Sequence, residues 1–133
     1  MSISTADRLA IHELLALHGH LSDIGAFERF GEVFTDDAVY DLTAYGAGVV
    51  TGRDALRDMA LQLGDANPLG HHVSNIIVSP ATADTVETLA KGLAVNADGT
   101  TGSVTYEDTV VRTAAGWRIS HRRVVPRRKP LTP

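Results

Sequence analysis

Residues 86–125 read VETLAKGLAVNADGTTGSVTYEDTVVRTAAGWRISHRRVV, and this stretch decides the fold. Three runs rich in β-branched and aromatic residues lie in it, Val86 to Val95, Gly102 to Thr113 and Trp117 to Val125, separated by Asn96-Ala97-Asp98-Gly99 and Ala114-Ala115-Gly116. Short turn signals between β-rich runs predict hairpins, and successive hairpins make an antiparallel meander. A further run, His71 to Ser79 before Pro80, adds a fourth strand on the N-terminal side.

Upstream the period changes. Ile11, Leu14, Leu15, His18 and Ser22 recur at spacings of three and four, which predicts one face of a helix from about Ala6 to Ser22. Ser4 and Asp7 supply a capping box at its start. Phe27, Phe30, Val33 and Phe34 predict a second, short helix ending near Thr35-Asp36-Asp37, and Ala38 to Leu42 a short strand. Gly52-Arg53-Asp54 opens a third helix with Leu56, Met59, Ala60 and Leu63 on its buried side and Gly64 as its stop. Helices followed by an antiparallel meander define an α+β architecture, three N-terminal helices packed on a curved, mostly antiparallel sheet.

The chain has 133 residues, which suits one domain over 1–133. It contains no cysteine, so disulfide scaffolds, thiol nucleophiles and thiolate metal sites are excluded. A net charge of −4 gives no global field toward nucleic acid. No apolar run approaches the roughly 20 residues of a membrane span. Met1-Ser2-Ile3-Ser4 has neither the basic start nor the apolar region of a secretory signal, and a cytoplasmic location is expected. Arg122, Arg123, Arg127, Arg128 and Lys129 are interleaved with Pro126 and Pro130, and residues 126–133 read as a basic, proline-rich, solvated tail.

Phosphate-binding glycine signatures and HExxH are absent, and His18 and His20 diverge by about 200° around a helix, so neither a nucleotide cofactor nor a metal is expected. His18 faces the core, where an imidazole without a polar partner costs roughly 1–3 kcal/mol. Strand alternation puts His71, Val73 and Asn75 on one face and His72, Ser74 and Ile76 on the other, so only one of the adjacent histidines enters a given pocket. His71 is assigned to it, with a bulge or register change exchanging the roles. Trp117 reads as core packing, and Asp36, Asp37 and Asp54 as carboxylates at helix ends and turns.

Five local patterns, in this order, carry a family resemblance: Phe34-Thr35-Asp36-Asp37-Ala38-Val39-Tyr40, Gly52-Arg53-Asp54-Ala55-Leu56, His71-His72-Val73-Ser74-Asn75, Tyr106-Glu107-Asp108 and Gly116-Trp117-Arg118-Ile119-Ser120-His121-Arg122. They resemble the SnoaL-like branch of the NTF2-like superfamily, an α+β cone around a central pocket. Its chemistry is most similar to that of scytalone dehydratase-like, bile acid dehydratase-like and hexachlorocyclohexane dehydrochlorinase-like members. The resemblance implies a catalytic His71 paired with Asp23, and Arg122 at the position of a substrate-facing arginine. The tyrosine that dehydratases carry five residues before the aspartate is replaced here by His18. His18, Tyr40, Tyr45, His72 and Arg122 are the candidate substrate-binding residues.

What this implies is a cofactor-independent lyase or isomerase, dehydratase-like, that takes a proton from a small apolar carbonyl or polyketide-like substrate. A polyketide cyclase is the alternative within enzymes. A non-catalytic module binding a small molecule or a protein partner is the alternative outside them. The resemblance also implies a homodimer through the outer face of the sheet and a small apolar or aromatic ligand in the pocket.

Overall fold

A computed structural model describes residues 3–131. Helix α1 spans Thr5–Asp23. The capping box is formed: the Asp7 N–H donates to Ser4 Oγ at 3.0 Å and the Ser4 N–H to Asp7 Oδ2 at 3.4 Å. Ile11, Leu14, Leu15, His18 and Leu21 make its buried stripe. Helix α2, Arg53–Leu63, buries Leu56 and Ala60 and is the third helix of the sequence reading.

The second expected helix is instead a 3₁₀ turn, Phe27–Glu32. Such turns stay short because side chains at i and i+3 eclipse. Strand β1 then starts at Phe34 and runs to Asp41, earlier than the expected Ala38. Phe34 lies opposite Ile119, and this strand pairing outweighs the helical spacing of the phenylalanines. Asp36 and Asp37 are accordingly exposed strand residues rather than a helix end, and Asp36 pairs with Arg53 at 2.8 Å.

The remaining strands are β2 (Val49–Thr51), β3 (Gly70–Pro80), β4 (Thr85–Val95), β5 (Thr101–Thr113) and β6 (Gly116–Arg127). One six-stranded sheet has the order β2-β1-β6-β5-β4-β3. Among the described residues only the β1–β6 pairing is parallel; β3 to β6 form the antiparallel meander. Ile11, Leu15, Leu21, Phe34, Val86, Val110 and Ile119 are fully buried between helices and sheet.

Strand β6 carries through Pro126 to Arg127, so the tail begins at Arg128 rather than at 126. Pairing with β1 ends at Arg123, leaving β6 a single neighbour at Pro126, where the missing N–H breaks no ladder bond. Thr132 and Pro133, the end of that tail, and Met1 and Ser2 lie outside the described residues. Among the described residues no helix is long and apolar enough to cross a membrane. Trp117 is buried, and its Nε1–H donates to Asp7 Oδ1 at 3.1 Å while Arg112 stacks 4.4 Å over the ring.

Candidate active site

A cavity of about 100 Å³ lies between the helices and the concave face of the sheet. Phe27, Phe30, Phe34, Leu56, Met59 and Ala60 form its apolar wall, and His18, Ser22, Tyr40, Asn67, His71 and Tyr106 bring polar groups to it. Leu63, half exposed, stands at the mouth. A wider depression on the outer sheet face, between Glu87, Glu107, His121 and Arg123, is open, and Arg123 there is already paired with Glu107 at 2.9 Å.

Asp23, the last residue of α1, holds His71 at two points. Its carboxylate accepts the His71 backbone N–H at 3.0 and 3.2 Å and lies 2.6 Å from Nδ1. Because an ionised carboxylate only accepts, Nδ1 carries the proton and the lone pair of the neutral ring sits on Nε2. Both side chains are largely withdrawn from solvent.

The close approach of α1 to β3 makes this geometry possible. His71 and Val73 face inward, whereas His72 is exposed on the other side and takes no part in the cavity. The expected alternation fails at Asn75, which adopts φ 55° at a bulge between Ser74 and Ile77. Asn75 is therefore exposed, and Ile76 and Val78 turn inward beyond it. The bulge follows His71, so it leaves the choice between the two histidines unchanged.

Arg122 is not a cavity residue. It is 0% exposed, with Nε and Nη2 donating to Asp108 Oδ1 and Oδ2 at 2.7 and 2.8 Å, and the Tyr106 ring lies 4.1 Å from its guanidinium carbon. Burial opposes its charge, but Asp108 outweighs that and holds the guanidinium more firmly protonated than usual. The third donor, Nη1, reaches His18 Nδ1 at 2.9 Å. The sequence reading put Arg122 against substrate; its buried carboxylate partner withdraws it to a supporting position.

His18 is buried, with Phe30 and Phe34 packed around its ring at centroid distances of 5.9 and 5.4 Å and the His71 ring 6.4 Å away. Burial, then the charge of Arg122 and that of His71 whenever it is protonated, lower its pKa well below the ordinary imidazole value, so it stays neutral. Tyr40 lines the cavity, and burial raises its phenol pKa. Tyr45 is instead 40% exposed in a 3₁₀ turn, Thr43–Tyr45, stacked against Arg128 at 5.2 Å and away from the cavity.

The sequence reading gave no role to Asp108 or Tyr106. The signal lay in β5, where Val104, Tyr106, Asp108 and Val110 alternate inward, and a carboxylate on a buried face requires a partner. Gly92 makes room on β4, since a Cβ there would overlap the Tyr106 ring. Among the described residues no three His, Asp or Glu side chains converge as metal ligands.

Helices packed on a bent sheet around one pocket place the protein in the NTF2-like, cystatin-like class of α+β cones. The SnoaL-like domain matches residues 4–123, and the chain belongs to that family. Among solved structures it is similar to Rv3472 from Mycobacterium tuberculosis, of unknown function, at 23% identity and TM-score 0.81 over 95% of this chain and 79% of that one. A candidate scytalone dehydratase from Novosphingobium aromaticivorans matches at 23% identity and TM-score 0.76, covering 94% and 89%. A candidate aromatic ring hydroxylase from the same organism matches at 27% identity and TM-score 0.76, covering 95% and 92%. No curated protein matches the chain.

Proposed function

We propose that the protein is a cofactor-independent lyase or isomerase of the dehydratase type, with His71 as the base that removes a proton α to a carbonyl. The observation that carries this reading is the 2.6 Å contact between His71 Nδ1 and Asp23 beside an apolar cavity. An acid that fixes one imidazole nitrogen leaves the other poised for proton transfer. His71 Nε2 takes the proton, the C–H electron pair becomes a C=C bond, and the carbonyl π pair moves to oxygen. The enolate then expels its β-hydroxyl, which takes the proton from His71 Nε2 and leaves as water, or it regains that proton at carbon; either course returns His71 to its neutral form.

The cavity, about 100 Å³, is smaller than the roughly 150 Å³ that accommodates benzene in an engineered core. The reacting part of the substrate is therefore a small, largely apolar fragment, and any larger portion extends past Leu63. The experiment is α-hydrogen exchange in D₂O, followed by proton NMR, on a panel of small ketones and β-hydroxy ketones. Wild-type protein accelerates exchange of at least one of them, and His71→Ala, folded by circular dichroism, does not. Equal exchange with wild type and His71→Ala, or no exchange across the panel, overturns the proposal.

A further inference from the structure

We infer that His18 is a neutral hydrogen-bond donor to the substrate oxygen, presenting Nε2–H to the cavity, and that Arg122 and Asp108 are positioning residues that fix this tautomer. Its catalytic meaning rests on proton abstraction at His71; its chemistry rests on the Arg122 contact alone.

A guanidinium has five N–H groups and no acceptor, so the 2.9 Å contact between Arg122 Nη1 and His18 Nδ1 requires the lone pair on Nδ1. The proton of the neutral ring is then on Nε2. Arg122 cannot turn away, because two of its donors are committed to Asp108 at 2.7 and 2.8 Å and its plane is held against Tyr106. Both side chains of that ion pair are 0% exposed, so neither reaches a ligand.

The other end of the His18 ring is differently placed. His18 and Ser22 both line the cavity, and the nearest partner of Nε2 is Ser22 Oγ at 3.5 Å. That bond is long and weak beside the roughly 2.7–3.2 Å of a well-formed N–H···O bond. An acceptor atom entering the cavity offers Nε2–H a shorter and stronger partner. With the His18 and His71 rings 6.4 Å apart, a carbonyl oxygen fits at one and the adjacent C–H at the other. As His71 takes the proton, negative charge develops on that oxygen, and the His18 N–H is already aimed at it. No proton leaves His18 in this step. Charge relief comes from a fixed dipole, with Arg122 acting one bond further back rather than at the substrate.

The test uses the whole chain, labelled with ¹⁵N and examined by long-range ¹H–¹⁵N correlation at pH 7. It places the proton on His18 Nε2, and adding cyclopentanone moves that resonance. Infrared spectra of ¹³C=O cyclopentanone then show a lowered carbonyl stretch with wild type. His18→Gln, whose amide accepts from Arg122 and donates to the cavity, keeps the lowered stretch, and His18→Phe loses it. Arg122→Lys, lacking the planar fork, gives a mixture of His18 tautomers. In the exchange assay His18→Phe falls about 10²- to 10³-fold and His18→Gln stays within about tenfold of wild type.

A proton on Nδ1, a cationic His18, no response of His18 to the ketone, or the same stretch in wild type and His18→Phe overturns the inference. The two readings fail separately. Exchange lost in His71→Ala but intact in His18→Phe removes the donor and keeps the base. Exchange intact in His71→Ala, with the tautomer and the carbonyl shift as stated, removes the base and keeps the donor.

Discussion

Gly19 of α1 touches the backbone of His71: a Cβ on Gly19 would stand 3.0 Å from the His71 carbonyl oxygen and 3.6 Å from its Cβ. Helix and strand meet with no side chain between them, and one turn later Asp23 reaches the same residue. Gly19→Ala gains about 1 kcal/mol of helix propensity but pushes α1 off β3. Global stability by urea titration therefore changes by less than about 1 kcal/mol, because the two effects offset. The low-field proton resonance of the His71–Asp23 hydrogen bond moves upfield as that bond lengthens.

Asp23→Asn keeps the shape of the tether and removes its charge. An amide accepts at one oxygen only, so the His71 N–H and Nδ1 compete for it, and the ring is free to place its proton on Nε2 instead. Ketone exchange falls by about 10³- to 10⁴-fold, the scale seen when a histidine loses its orienting acid. Stability falls far less than activity, and parallel measurement of both checks this.

The Arg122–Asp108 pair is fully buried, so truncating one partner strands a charge. Asp108→Ala lowers stability by about 3–5 kcal/mol by denaturant unfolding, and Arg122→Met with Asp108→Leu together recover most of it. The double variant still lacks the fixed His18 tautomer. Restored stability with the exchange defect retained separates the two contributions of the pair.

At the other end of the molecule, Arg112 and Trp117 donate to Asp7 and, with its capping bond, hold its carboxyl far below the usual carboxylate range. A carboxyl whose pKa is depressed by folding stabilises above its unfolded value, roughly 3.9, and that contribution is lost as pH falls toward the folded value. Wild type minus Asp7→Asn, measured as thermal midpoints, is largest at pH 5 and above and narrows steadily from pH 4 downward. A difference that stays constant to pH 2 contradicts this.

Thr88 is buried on β4, and its Oγ1 has no hydrogen-bond partner among the described residues. Thr88→Val has nearly the same shape without the unmet hydroxyl and raises stability by about 1 kcal/mol in a urea titration. An unchanged or lower midpoint refutes the assignment.

Much of the fold was legible because its signals are local. The stripe from Ile11 to His18, the Ser4–Asp7 cap and the turns flanking β5 each declare themselves within a few residues. Phe34 misled because its spacing from Phe27 and Phe30 is helical, whereas its place in β1 depends on Ile119, a distant partner. Asn75 misled for another reason, since alternation is a statement about regular backbone and a positive φ suspends it. In the site, the Asp23–His71 pair came from family resemblance; helical period and strand alternation place each residue without bringing the two together. The same resemblance points Arg122 at substrate; its partner on the adjoining strand is set by register, and the inward position of Asp108 was the available clue to it.

The bulge at Asn75 has a consequence beyond the orientation of Ile76. Strand β3 borders the sheet, and a straight border strand offers a row of free amides and carbonyls onto which another molecule can add. A kinked rim breaks that row, and the opposite border, β2, is only three residues long. Neither margin offers a long, flat template, so this sheet is poorly suited to growing into a fibril by recruiting copies edge to edge.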